Sequence, residues 1–213
     1  MENSPFRQIV SSLDGLREIL PPPSGISVDK VLTYIDVHVR RFIEFSPYVI
    51  VATADRYGVC DSSPRGGEPG FVRVVDDRHL FLAEATGNRR ADTLGNILES
   101  PQIGMLFLIP GYEETLRLNG RAVITQDPDL LAQAESINGR PPLLGIGIEV
   151  NECFLHCAKA AMRSSIWNPM GWPNLQAFPS AAEIFRDHMG GAIGDASVMN
   201  IQALLEESYT KRL

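Results

Sequence analysis

The sequence is short of cysteine, short of positive charge and without a long apolar run. Its 213 residues include three cysteines, Cys60, Cys153 and Cys157. An odd, low count excludes a disulfide framework and fits a reducing compartment. Lys and Arg total 19 against 26 Asp and Glu, a net charge of -7. Nucleic-acid binding needs clustered cations, so this balance argues against it. The Trp and Tyr residues are too few and scattered for a base-stacking platform. The apolar run Gly104 to Pro110 (GMLFLIP) has the length of a strand, and nothing approaches the ~20 residues of a membrane span. The opening MENSPFRQIV lacks the charged-then-apolar order of a signal peptide. We therefore expect a cytoplasmic protein with no membrane span and no nucleic-acid partner.

What is present is ordinary for a globular chain, with 44% hydrophobic and 21% charged residues. Residues 6–20 read as a short amphipathic helix stopped by Pro21-Pro22-Pro23. Val31, Tyr34, Ile35, His38, Phe42 and Phe45 recur at helical spacing, which predicts a helix over about 28–45 with Ser27 as its cap. The pattern then turns to strands. Tyr48 to Ala54 (YVIVATA) and Val59 to Ser63 form a hairpin signal around Asp55-Arg56-Tyr57-Gly58, followed by the turn-rich Pro64 to Gly70. Phe71 to Val75, His79 to Ala83, Ile103 to Ile109, Thr115 to Thr125 and Leu144 to Val150 read as further strands, with Gly120 a bulge candidate. Helices are expected at about 89–99, at 127–136 with Asp127 as cap and Pro128 in first position, at 152–163, and at about 180–189 and 197–210. Six or seven closely spaced strands, mostly joined by hairpin-length turns, favour an antiparallel barrel over a doubly wound sheet.

The helix expected at 89–99 opens with Gly87-Asn88-Arg89-Arg90. Two arginines in a first turn oppose the helix dipole, at about 0.3–1 kcal/mol each. The placement makes sense if an anion binds there, because free N–H groups and guanidinium groups would converge on it. The alternative is that the arginines pair with acidic neighbours such as Glu84 and Asp92, or are simply solvated. Upstream, Asp61-Ser62-Ser63-Pro64-Arg65-Gly66 offers two hydroxyls, a rigid proline and a cation. That set suits a polar ring edge or a phosphate, or is a plain surface turn.

Together these segments resemble the pyridoxamine 5'-phosphate oxidase-like proteins, the FMN-binding split β-barrels. The likeness runs over about 27–170 and is carried by YVIVATAD, CDSSPRGGEPGFVRV, HLFLAEATGNRRADTLGNIL, IGMLFLIPG and ETLRLNGRAVI. The resemblance implies a mainly β fold with helices, a split antiparallel barrel. It has an N-terminal helical extension over 1–26 and a C-terminal one over 171–213. It implies a homodimer with FMN at the subunit interface and a small-molecule substrate or electron donor. By the same resemblance, Asp61, Ser62, Ser63, Pro64 and Arg65 run along the flavin, and Leu82, Ala83 and Glu84 pass beside it. Asn88, Arg89 and Arg90 take the phosphate. Lys159, Arg163 and Trp167 lie in the segment that reaches the flavin. The implied function is an FMN-dependent oxidoreductase, with a flavin- or haem-binding carrier or sensor as the alternative. The chain ends in DASVMNIQALLEESYTKRL, without the arginine- and histidine-bearing segment that grips substrate in pyridoxamine phosphate oxidases. The substrate is therefore left open.

Cys153, His156 and Cys157 would share one face of the helix expected at 152–163. A structural zinc site wants four ligands, usually with a second pair elsewhere, and none is evident. We read them as packed small residues and expect no metal. No GxSxG context surrounds Ser63, so nucleophilic catalysis is unsupported.

Overall fold

The first strand shows why the chain adopts its fold. In β1, Tyr48–Ala54, the side chains of Val49, Val51 and Thr53 are buried while Tyr48 and Ala52 are exposed. That period of two is a sheet with one face on a core. Asp55 then turns the chain, its carboxylate accepting the backbone N–H groups of Tyr57 and Val59 at 2.8 and 2.9 Å. Gly58 takes the positive φ of 80° that closes the turn. The return strand β2, Cys60–Gly66, pairs antiparallel with β1.

The structure is a computed structural model that describes residues 5–84, 90–134, 141–190 and 197–212. Two compact units divide the chain at Val31 and Leu32. The first contains α1, Leu13–Ile19, capped by Ser12, and α2, Ile26–Asp29. The second contains everything else. Its strands continue with β3, Val72–Val74, and β4, His79–Ala83. After them come β5, Gln102–Leu108, β6, Thr115–Thr125, and β7, Gly145–His156. All pair antiparallel in one sheet of order β2-β1-β5-β6-β7-β4-β3.

That order forces the sheet to curl. β2 and β3 are its two edges, six inter-strand steps apart, which is ~29 Å in a flat sheet at about 4.8 Å per step. Only the segment 67–71 joins them, and from Gly66 to Val72 an extended chain reaches at most ~22 Å. A flat sheet is therefore impossible, and the open, seven-stranded sheet is a split antiparallel barrel. Inside lie Phe107, Leu116, Leu118, Ile146 and Val150, each fully buried, with Val49 and Val51 beside them. Burying such a side chain contributes about 1.5–3 kcal/mol.

Between Asn119 and Gly120 the β6–β7 register slips, so that Asn119 faces Glu152 while Gly120 faces Val150. The extra residue is Asn151, on the partner strand. Gly120 is required there, because a Cβ would run into the backbone carbonyl of Glu149. The bulge expected at Gly120 is thus present.

Several helix boundaries differ from the sequence reading. The N-terminal helix covers 13–19 rather than 6–20. The single helix expected over 28–45 is two, α2 and α3, Val37–Phe45. Between them Leu32 exchanges both backbone hydrogen bonds with Cys153, at 3.0 and 2.8 Å, which draws the chain into a bridge. Asp36 then caps α3 through the N–H groups of His38 and Val39. The helix expected at 152–163 is strand as far as His156. Its helical part is α6, Lys159–Ser164. The pairing of Leu118 with Cys153, Leu116 with Leu155 and Thr115 with His156 shows the sheet ladder with β6 overriding helical spacing. Cys153, His156 and Cys157 therefore do not share a helix face. Between β4 and β5 lies α4, Asp92–Glu99, and after β6 comes α5, Pro128–Ala132, capped by Asp127. At the far end, α7, Ala181–Met189, opens with a Ser180–Glu183 capping box and precedes α8, Val198–Arg212. No helix among the described residues is long and apolar enough to cross a membrane.

Candidate functional site

The site grows from the alternation of β2. Asp61, Ser63 and Arg65 are half-buried, while Cys60, Ser62, Pro64 and Gly66 are exposed. Successive strand residues point to opposite faces, so the run read as one surface is two. Asp61, Ser63 and Arg65 sit opposite Thr53, Val51 and Val49, on the core side. Ser62 and Pro64 sit opposite Ala52 and Ile50, on the outer side.

Helix α4 lies against the core side. Its first turn supplies Thr93, which is 2% exposed. The Thr93 hydroxyl donates to Asp61 Oδ2 at 2.8 Å and lies 3.3 Å from Ser63 Oγ. Ser63 donates to the same Asp61 oxygen at 2.9 Å. Arg65 donates through Nη2 to Thr93 Oγ1 at 3.3 Å and through Nη1 to the Pro64 carbonyl at 3.0 Å. One turn further, Asn96 donates to Thr53 Oγ1 at 3.1 Å.

Glu84 closes the group from the other end of the sheet. It follows β4, with its N–H on the carbonyl of Leu144 at 3.1 Å. Arg65 reaches it twice, Nη2 to Oε1 at 3.3 Å and Nε to Oε2 at 3.4 Å. The two side chains are 18% and 19% exposed. No buried side-chain nitrogen or oxygen among the described residues lacks a partner.

Helix α4 starts later than its sequence suggests. Ala91 precedes it at φ 57°, a left-handed conformation that the helix cannot continue through. The first turn therefore holds Asp92, which suits the electropositive helix start, rather than two arginines. Arg90 lies just outside the helix, exposed, with Nε donating to Asp92 Oδ2 at 2.8 Å. That bond, then the Asp92 charge and more weakly that of Asp61, hold its pKa above the ordinary value. Gly87, Asn88 and Arg89 fall outside the described residues.

The remaining expected residues are placed as follows. Leu82 is 1% exposed and paired on both sides, with Val72 and Ile146, so its side chain belongs to the core. Ala83 is paired with Gly145. Lys159 and Arg163 lie exposed on α6, and half-buried Trp167 follows. No hydrogen bond or ion pair among the described residues joins these three to the β2 group. The structure brings together Asp61, Ser63, Arg65, Glu84 and Arg90. It separates Ser62 and Pro64 from them by strand face, and packs Leu82 into the core.

Sequence reasoning missed Thr93, the hub of the group, because apolar spacing alone puts Ala91, Leu94, Ile97 and Leu98 on the packed face of the helix. Leu98 is in fact 77% exposed, and Thr93 is buried beside Ile97. The available signal was the polar pair Thr93 and Asn96 at i, i+3, one turn ahead of Ile97.

Fold and site define a split-barrel protein with a polar, charge-bearing group held between a sheet edge and a helix start. Residues 35–157, more than half of the chain, match the family model described as pyridoxamine 5'-phosphate oxidase. The chain belongs to that family, whose fold is a flavin-binding one. No curated protein sequence matches it. Among solved structures it is similar to HupZ of Group A Streptococcus, at 20% identity and TM-score 0.46, over 57% of this chain and 93% of that one. It is also similar to HutZ, a heme storage protein of Vibrio cholerae, at 13% identity and TM-score 0.40, over 57% and 93%. A third is a pyridoxamine 5'-phosphate oxidase-related, FMN-binding protein of Nostoc punctiforme, at 14% identity and TM-score 0.39, over 53% and 75%. The family assignment rests on the family model alone.

Proposed function

We propose that the protein is an FMN-dependent oxidoreductase of this family, acting as a homodimer on a small-molecule substrate or electron donor. The observation that carries the reading is the convergence of Ser63, Arg65 and Thr93 with the start of α4, where Arg90 adds a second cation. Guanidinium groups donate to a phosphate, and Ser63 Oγ can accept from a ribityl hydroxyl while its own proton goes to Asp61. The donor chemistry therefore fits the cofactor. In this reading Arg65, Arg89 and Arg90 meet the phosphate, with Asn88 beside them. Asp61 and Ser63 border the flavin, as do Ala83 and Glu84. Lys159, Arg163 and Trp167 serve the flavin of the dimer. Bound FMN supplies transfer of a hydride or of electrons between a reduced substrate and an acceptor. The protein supplies position and charge. A cation from α6 near the ring would favour the anionic reduced form.

Purified protein is expected to be yellow and to release FMN on denaturation. Colourless protein that takes up no added FMN would sink the reading. Anaerobic mixing with NADH, NADPH and candidate substrates should bleach the flavin, and air should restore it. Flavin that is bound but never bleached by a broad panel would leave a carrier or sensor instead.

A further inference from the structure

We infer that Glu84 is a built-in counter-ion that competes with the cofactor phosphate for Arg65, so that this one carboxylate sets how much the phosphate contributes to flavin affinity. The inference rests on the FMN reading above.

Three carboxylates and two guanidinium groups meet here among the described residues: Asp61, Glu84 and Asp92 against Arg65 and Arg90. Among the described residues the carboxylates outnumber the guanidinium groups by one. A phosphate brought to Arg65 needs one carboxylate to let go. Asp61 is held by two hydroxyl donors, Ser63 and Thr93. Asp92 is held by Arg90, whose side chain is 73% exposed and lies outside the Arg65 contacts. Among the described residues the Glu84 carboxylate bonds to Arg65 alone. It is the carboxylate with the fewest other ties.

The Arg65–Glu84 contacts are also the long ones, at 3.3 and 3.4 Å. A well-formed charge-assisted N–H···O bond is about 2.7–2.9 Å. The pair is made but not seated at its best distance, and a phosphate oxygen at closer range displaces it. Both side chains are about four-fifths buried, so neither charge is cheaply left alone. Arg65 therefore exchanges one anion for another rather than standing free. Glu84→Gln removes the competitor and leaves Arg65 seeking a charge.

The test compares FMN with riboflavin, which lacks the phosphate. Dissociation constants are read from quenching of flavin fluorescence for wild type, Glu84→Gln and Glu84→Asp, with the melting temperature of each protein with and without flavin. Glu84→Gln should bind FMN at least about tenfold more tightly, roughly 1.4 kcal/mol, while riboflavin affinity stays within about threefold. Its melting temperature without flavin should fall, and FMN should raise it by more than in wild type. Glu84→Asp, with the carboxylate drawn back by one methylene, should fall between the two and decides the matter if the glutamine variant does not fold. An unchanged preference for FMN over riboflavin would overturn the inference and make Arg65–Glu84 a structural strap. Equal weakening of both flavins would overturn it too, as a loss of site shape. Wild-type protein that binds neither flavin would overturn the FMN reading, and this inference with it.

Discussion

At the scale of single residues, Thr93 carries more than its chemistry suggests. Its one hydroxyl donates to Asp61 and accepts from Arg65, so two charged groups from β2 are fixed to α4 through one atom. Buried hydroxyls in this position are costly to remove, because the partners left behind stay unsatisfied. Thr93→Val keeps the shape and deletes the hub. It should lower stability by about 1–3 kcal/mol, seen as a lower midpoint in urea with an unchanged slope. An unshifted midpoint would mean that water replaces the hydroxyl at no cost. The sequence left Thr93 unmarked because a threonine in a helix carries no signal of its own. Asp61 and Arg65 could be read as candidates because charge on a strand between turns is unusual. That Ser62 and Pro64 face away from them follows from strand alternation, which applies only once the strand is known to run through Gly66.

At the scale of elements, strands were legible, and helix starts only where a local cap marks them, as at Asp127 and Ser180. A β-branched run marked β1, a continuous apolar run β5 and an alternating one β6. The other helix starts depended on contacts the sequence does not display. The Leu32–Cys153 bridge broke one expected helix in two. The same ladder held residues 152–156 as strand. Ala91 adopts φ 57° before α4, where a side chain is strained and a glycine is not. Ala91→Gly should therefore stabilise the protein, since the relieved left-handed strain of about 1–2 kcal/mol exceeds the ~0.5–1 kcal/mol entropic cost of glycine, and raise the thermal midpoint. A lowered midpoint would show that Ala91 is held there without strain. The start of α4 is also what presents Asp92 to Arg90 and Thr93 to Asp61. A one-residue extension of the helix would reshuffle both of those contacts.

At the scale of the molecule, pH stability is tied to one buried thiol. Cys153 is fully buried, with Sγ 3.3 Å from the Tyr34 carbonyl. Burial first, and then the charges of Asp36 and Glu152, push its pKa from 9.0 up to about 11. The folded protein holds this proton longer than the unfolded chain does. The associated stability is whole below pH 9.0 and lost as pH rises through about 11. Wild-type protein should lose urea resistance more steeply across that window than Cys153→Ala does, and parallel losses would assign the effect to other groups. The barrel itself was legible from strand spacing, whereas its closure was not. Strand order is set by which edges meet, and no local pattern encodes that. The Arg65–Glu84 pair joins residues only 19 apart in sequence, yet it spans the two ends of the sheet.

The strand order also bears on how the chain is made. β1 to β4 leave the ribosome first, but β5, β6 and β7 must come between β1 and β4 in the finished sheet. Until they do, the inner edges of β1 and β4 present unpaired backbone to any passing strand. The half-synthesised chain is therefore a sticky object, safe only once its last strand has been translated. Damage to β7 would then be felt in solubility and chaperone demand before it was felt in chemistry.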